Sequence, residues 1–436
     1  MYRRKMAIDL LASCVVIAVA VAVPVVHAEP AAANFLTIDA AVSAVRESNP
    51  GLAGIRARAE ALAAVPSQVG TLPDPKIGFS SLNLPTNSFA LDQEPMTQLQ
   101  IGLRQTFPFP GKLKLRERIA SLNAEAAFLN VDELTLDLVA AVKSVWWQMA
   151  YLREADKIVE QNRQLMREFV EIASTKYEVG RGLQQDVLLA QLELSKLADL
   201  AIQIDGQFET AQARLNVLLD WPAARRSTLP ERVSSTLPEL RPDHELQALA
   251  VQSRPVIAGM EKDIEAAESA VELAQKDYFP DLDFNAGYGF RGGESAVGSS
   301  RPDFVSFGFS VSVPIFLAQK QARALDQKRS EMLGRSYALA DEKARVRGAV
   351  ATAVADYERA RNSASLFRTG IIPQARQTVA SMLAAYQVNK VDFLNLVQAE
   401  ITLYNYEMQF WLAIANANSA LAELEAAVGT ENIGNE

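Results

Sequence analysis

The sequence predicts a mainly α-helical chain that carries four membrane β-strands and is built from two related halves. Three observations lead there. Two stretches hold apolar residues at alternating spacings of three and four, the signature of long helices packed as coiled coils. Four shorter stretches alternate apolar and polar residues with period two. Landmarks of the first half return in the second in the same order.

The N-terminus comes first. Arg3, Arg4 and Lys5 precede an apolar run, and Val26-His27-Ala28 supplies small residues at a cleavage site. Residues 1–28 therefore read as a secretory signal peptide. Leu11-Ala12-Ser13-Cys14 resembles a lipoprotein box and makes Cys14 a candidate lipidation site, although Asp9 interrupts the apolar run before it. Beyond this leader no apolar run reaches the roughly 18–20 residues that a transmembrane helix needs.

Composition excludes several classes. The 436 residues are 49% hydrophobic and 22% charged, which is neither disordered nor collagen-like. The formal charge is -9, and no cluster of Lys and Arg offers a polyanion a surface, so nucleic acid is not an expected partner. Cys14 is the one cysteine, and His27 and His244 are the two histidines. After cleavage only His244 remains, which leaves no disulfide, no Cys or His metal cluster and no cysteine nucleophile. The expectation is a protein without catalytic activity or cofactor. Its carboxylates are expected on solvated helix faces, and Trp146, Trp147 and Met149 in packing rather than metal ligation.

The repeat sets the organisation. Tyr177-Glu178-Val179-Gly180 corresponds to Tyr386-Gln387-Val388-Asn389. The first copy continues with Val187, Ala190, Leu194, Leu197, Ala201, Ile204, Phe208, Ala211, Leu215 and Leu218. The same step lands on Leu396, Ala399, Leu403, Tyr406, Phe410, Ala413, Ala417, Ala420, Leu424 and Ala427, all apolar or aromatic. Asn49-Pro50 matches Arg254-Pro255, Leu72-Pro73-Asp74 matches Phe279-Pro280-Asp281, and Thr106-Phe107-Pro108 matches Ser312-Val313-Pro314. Each half then reads as a short helix, two strands, a very long helix, a tight turn and a helix back. The first half spans 29–221, with strands at 75–84 and 97–107, a long helix at 111–178 and a return helix at 183–220. Residues 222–242, with Pro222, Pro230, Pro238 and Pro242, read as a linker. The second half spans 243–428, with strands at 281–290 and 303–313, a long helix at 318–386 and a return helix at 391–427. Residues 429–436 form a tail. Gly370 and Pro373 lie inside the second long helix and should bend it.

The strands carry Phe, Val and Leu on one face and Ser, Gly, Asn, Gln and Arg on the other. Val305, Phe307, Phe309 and Val311 alternate with Ser306, Gly308, Ser310 and Ser312. Such a sheet suits lipid on one side and water on the other, whereas a soluble sheet would bury its apolar face on a core. A membrane barrel leaves no edge unpaired. Small barrels have about eight strands, so four strands imply that several chains share one barrel.

These residues resemble the TolC-like outer-membrane efflux family over nearly the whole mature chain. The markers are Leu36-Thr37-Ile38-Asp39-Ala40-Ala41 running to Asn49-Pro50, the turn at Tyr177 with Asp186-Val187-Leu188, and its copy at Tyr386. Leu72-Pro73-Asp74-Pro75 and Gln105-Thr106-Phe107-Pro108-Phe109-Pro110-Gly111-Lys112 look most like the heavy-metal branch of CzcC- and CusC-like proteins. The resemblance implies a homotrimer with one shared 12-stranded barrel and a periplasmic helical tunnel. Its partners would be a periplasmic adaptor (membrane fusion protein) and an inner-membrane transporter of the RND type. It also implies a periplasmic gate, to which Asp186, Tyr386, Lys390, Asp392, Asn395 and Gln398 are assigned. Tyr386 and Asp186 look like the family's tyrosine and aspartate tie, the arginine of that tie falls on Val391, and the two pore-narrowing aspartates fall on Asn395 and Gln398. Val179, Gly180, Leu183, Val388 and Asn389 at the helix turns are the expected adaptor-docking surface. A protein-secretion duct and a non-pore periplasmic coiled-coil scaffold are the competing readings.

Overall fold

The computed structural model describes residues 35–294, 297–388 and 390–434. The signal peptide, Cys14 and Asn389 lie outside the described residues.

The described residues open with three helices rather than the single short one expected. These are α1 (Ile38–Ser48), α2 (Pro50–Ala63) and α3 (Val65–Gly70). The division follows from capping and proline. Thr37 Oγ1 accepts the Ala40 N–H at 3.2 Å to start α1, and Asn49 Oδ1 accepts the Leu52 N–H at 3.0 Å to start α2. Pro50 and Pro66 sit in the first turns of α2 and α3, where a missing N–H costs nothing. Strands β1 (Lys76–Leu82) and β2 (Gln98–Phe107) follow, then α4 (Lys112–Glu178) and α5 (Gln184–Leu218). The 67 residues of α4 make a rod on the order of 100 Å long.

After an extended stretch come α6 (Asp243–Ser253) and α7 (Pro255–Lys276), where one short helix was expected. Pro255 begins α7 as Pro50 begins α2. Strands β3 (Asp281–Phe290) and β4 (Phe304–Ser312) precede α8 (Gln321–Leu366), α9 (Ile372–Gln387) and α10 (Phe393–Val428). Between α8 and α9 lies a π-helical turn, Phe367–Ile371, containing Gly370. The Gly370–Pro373 segment thus changes helical register instead of ending the helix, while α4 runs uninterrupted.

The strands form one antiparallel sheet in the order β1-β2-β3-β4. Its registers separate the two faces, with exceptions such as Leu82 opposite Gln98 and Gln105 opposite Phe284. Phe79 opposes Ile101, Ile101 opposes Tyr288, and Phe284 opposes Phe309. On the other face Ser80 opposes Gln100, Arg104 opposes Asn285, and Asp283 opposes Ser310. The apolar face is not covered by the helices, since Phe307 and Phe309 are 73% and 80% exposed. That departs from a soluble sheet, which would bury these rings. Glycines clear the polar face for long side chains. A Cβ at Gly287 would lie within 3 Å of the Gln100 amide, and one at Gly289 would meet Gln98.

The helices bury one another. The main core runs along α4, α5 and α10 and includes Val142, Met149, Leu152, Val159, Leu197, Leu215 and Leu396. A second cluster joins α6, α8 and the end of α10 through Leu246, Val350 and Leu424. Trp146 and Met149 pack in the main core, and the Trp146 indole N–H donates to Leu36 O at 2.8 Å. The helix-face expectation for carboxylates fails at two positions, because Glu193 and Glu400 are only 6% and 5% exposed. Among the described residues no helix is long and apolar enough to cross a membrane.

Candidate functional site: a polar sheet face and a distal tip

The polar sheet face is an organised network. Arg104 Nη2 donates to Asp283 Oδ2 at 2.8 Å and Thr106 Oγ1 to Asp283 Oδ1 at 2.5 Å. Gln100 Nε2 donates to Ser306 Oγ at 2.9 Å, linking β2 to β4 across Gly287. The loops at the far ends of the hairpins are clasped together. Arg301 Nη1 donates to Asp92 O and Glu94 O at 3.1 and 3.2 Å, and the Arg291 N–H to Asp303 Oδ1 at 2.9 Å.

Where strands give way to helices, a compact junction forms that sequence reasoning missed. Lys112 is buried at the start of α4 with its Nζ 2.9 Å from Asp281 Oδ1 and 3.1 Å from Asp277 Oδ1. The Phe109 N–H donates to Asp281 Oδ1 at 2.8 Å, and the Phe109 and Phe279 rings stack with centroids 4.5 Å apart. The equivalence of Pro-flanked segments was visible in sequence, but the lysine that bridges them was not.

The opposite end is the tip, where α4 turns into α5 and α9 into α10. Gly180 adopts φ +70, which favours glycine, and nothing lies within 4 Å of where its Cβ would be. The Gly180 and Arg181 N–H groups close the helix end on Tyr177 O and Lys176 O at 2.9 and 2.8 Å. Val179, Leu183 and Val388 project into solvent at 63%, 59% and 62% exposure. At the second turn the Lys390 N–H donates to Ala385 O at 2.9 Å, and the Asn395 N–H to Asp392 O at 3.1 Å.

Tyr386 is buried beside Phe393, centroids 5.3 Å apart, and its hydroxyl has no hydrogen-bond partner among the described residues. Burial first, and the Asp186 carboxylate second, push that hydroxyl above its ordinary range. The Asp186 carboxyl is itself raised, by burial first and with the Asp392 carboxylate adding to it. Lys176 completes the group: its Nζ lies 3.8 Å from the Tyr386 ring centroid and 3.0 Å from Tyr386 O. The structure therefore gathers Asp186, Tyr386 and Asp392 around Lys176, a residue that sequence reading passed over. The Lys390 side chain stays exposed. Asn395 and Gln398 are exposed and line a groove of about 480 Å³ between α9 and α10, which reaches Ile371 of the π-helical turn. Among the described residues no group of three His, Cys, Asp or Glu side chains could hold a metal ion.

A sheet with lipid-suited and water-suited faces, mounted on a helical rod with a distal tip, defines a membrane duct. Residues 41–219 and 246–430 match the outer membrane efflux protein family, and the chain belongs to it. Among curated relatives, the pyoverdine export outer membrane protein OpmQ of Pseudomonas aeruginosa is 24% identical over 351 residues, 78% of this chain and 70% of OpmQ. The cobalt-zinc-cadmium resistance protein CzcC of Cupriavidus metallidurans is 18% identical over 91% of each chain. Solved structures share the fold. CusC gives a TM-score of 0.76 at 17% identity over 91% of this chain and 93% of its own. The outer-membrane channel OprN gives 0.74 at 18% identity over 90% and 89%. The protein is an outer-membrane efflux channel with a long periplasmic helical extension. Members of this family work with periplasmic adaptors and inner-membrane pumps.

Proposed function

We propose that three copies of the chain close one 12-stranded barrel and one helical tunnel, which passes small solutes from an adaptor and an RND-type inner-membrane pump to the exterior. The observation that carries this reading is the four-stranded sheet. Its apolar face is exposed, and the outer edges of β1 and β4 pair with no strand among the described residues. Hydrocarbon tolerates neither an open edge nor too few strands to close. Three chains close the sheet and bring the polar face, with Gln100, Arg104 and Asp283, around a water-filled lumen. The halves 29–221 and 243–428, joined by 222–242, each supply one hairpin and one helical pair.

The tip is the part that meets partners from the inner membrane. It lies a full α4 length from the sheet. Val179, Gly180, Leu183, Val388 and Asn389 are the proposed docking surface, and Asp186, Tyr386, Lys390, Asp392, Asn395 and Gln398 the proposed gate. The likeness to CzcC, a cobalt-zinc-cadmium resistance protein, supports heavy-metal cations as cargo, carried as solute rather than held at a resident site. Deleting the gene should lower the cobalt, zinc and cadmium concentrations that stop growth, and the intact gene should restore them. Unchanged metal tolerance together with lost export of a small organic solute would keep the channel and reject the metal.

A further inference from the structure

The helical core contains two buried acceptors without a hydrogen-bond partner among the described residues. On α10, Phe393, Glu400, Glu407 and Ile414 are spaced by sevens and share one face of the helix. The Phe393 ring meets Phe169 of α4 with centroids 6.0 Å apart. The two helices run antiparallel, since Lys143 near the other end of the contact pairs with Glu425 at 2.5 Å. One heptad away from the tip on each helix therefore sets Asn162 of α4 opposite Glu400 of α10. Both are buried, at 7% and 5% exposure. The Asn162 amide donates to Ile158 O at 2.8 Å, which leaves its Oδ1 unpartnered. Glu400 Oε2 is unpartnered as well.

Two acceptors repel, and each carries the cost of lost hydration. A proton on Glu400 turns one of them into a donor. The charged neighbours make their ion pairs elsewhere. Glu407 on the same helix is engaged by Arg376 of α9 at 2.7 Å. Glu193 of α5 is engaged by Lys196 at 2.6 Å, and on α4 Arg163 pairs with Glu160 at 2.7 Å. Among the described residues no cation is bonded to Glu400. Burial first, and the Glu407 carboxylate second, push its carboxyl up to about 7.

We propose that Glu400 is a proton-binding site that latches the tunnel: protonated, it donates to Asn162 Oδ1 and holds α10 on α4, and ionised, it lets the tip half of α10 open. The linkage has a definite sign. The latched state binds the proton more tightly than the opened, hydrated state, where an ordinary glutamate near 4.5 applies. The latch is strongest in acid, weakens as pH rises from about 4.5 to about 7, and changes little above that. Because small ions cross the outer membrane, an acid medium would keep the tip shut.

The test is amide hydrogen exchange of the intact protein in detergent, read on peptides covering 393–407 and corrected for the intrinsic pH dependence of exchange. Protection should fall about tenfold per pH unit between roughly pH 5 and 7 and level off above. Glu400→Gln, whose amide can donate to Asn162 Oδ1 without ionising, should hold protection constant over that range. Asn162→Asp sets a second carboxylate opposite the first, so the pair shares a proton and the fall should extend beyond pH 7.5. The readout concerns helix opening and is independent of what the channel carries. Flat protection in the parent would overturn the latch. So would a Glu400→Gln profile that still follows pH, or an Asn162→Asp profile that coincides with the parent's.

Discussion

Lys176, in the last turn of α4, reaches across the tip to Tyr386 of α9, with its Nζ 3.8 Å from the ring centroid and 3.0 Å from the Tyr386 carbonyl oxygen. One cation thus joins the two helical hairpins of the chain. Because the Tyr386 hydroxyl finds no partner among the described residues, the ring and the backbone carry the tie.

Replacing Lys176 with Met removes a cation–π contact and a charged hydrogen bond, together roughly 1–2 kcal/mol at a half-exposed site. The open-state population should rise by about tenfold, read as higher open probability in planar bilayers with unchanged oligomer yield. Tyr386→Phe with Asp186→Ala should act in the same direction if the hydroxyl bonds across chains. A double mutant that conducts like the parent would move the gate to Asn395 and Gln398.

Gly180 separates docking from conduction. Its φ of +70 penalises any L side chain, by about 1–2 kcal/mol, while the open space around it admits one sterically. Gly180→Trp should therefore fold, conduct in bilayers as the parent does, and abolish efflux in cells. Loss of conductance as well would place Gly180 in the pore instead.

The two sheet faces should respond differently to charge. Phe309→Arg puts a cation on the 80%-exposed apolar face, at a cost of roughly 2–4 kcal/mol near the bilayer midplane. Ser310→Arg places the same group opposite Asp283 on the polar face. The first should lower the yield in outer-membrane fractions at least tenfold and the second less than twofold.

Arg254 locks three helices where the second half begins. Its Nε and Nη2 donate to Glu133 Oε1 of α4 at 2.9 and 2.7 Å, and its Nη1 to Ala427 O of α10 at 3.3 Å. Glu133 Oε2 in turn accepts the Val256 N–H at 3.1 Å. Arg254→Met leaves a largely buried carboxylate without its cation, which should cost about 3–5 kcal/mol. The melting temperature should drop clearly, and adding Glu133→Gln should recover part of the loss.

What was legible in the sequence is short-range and periodic. The stripe from Val187 to Leu218 is buried or half-buried throughout, as is its counterpart from Leu396 to Ala427. The strand alternation places Phe284, Phe307 and Phe309 on one face and Gln100, Arg104 and Ser310 on the other, as the pattern assigns. The rest depends on contacts that one helix cannot announce. The stripe on α10 accounts for Leu396 and Leu403 but not for Phe393, Glu400 and Tyr404, because α10 packs on both α4 and α8 and buries a wider face than a single seam. Glu400 consequently read as solvated. Lys112 and Lys176 carry no signal of their role in the sequence, since their partners, Asp281 and Tyr386, lie far along the chain. Gly370 and Pro373 signalled irregularity in α8–α9, but whether it would be a bend or a π-helical turn depends on packing against α10.

In the proposed assembly this sheet is one third of a closed barrel. Light scattering on the purified protein in mild detergent, corrected for bound detergent, measures the number of chains directly. Three chains per particle is the expected result. A monodisperse particle of one chain would contradict the shared barrel and the tunnel built on it.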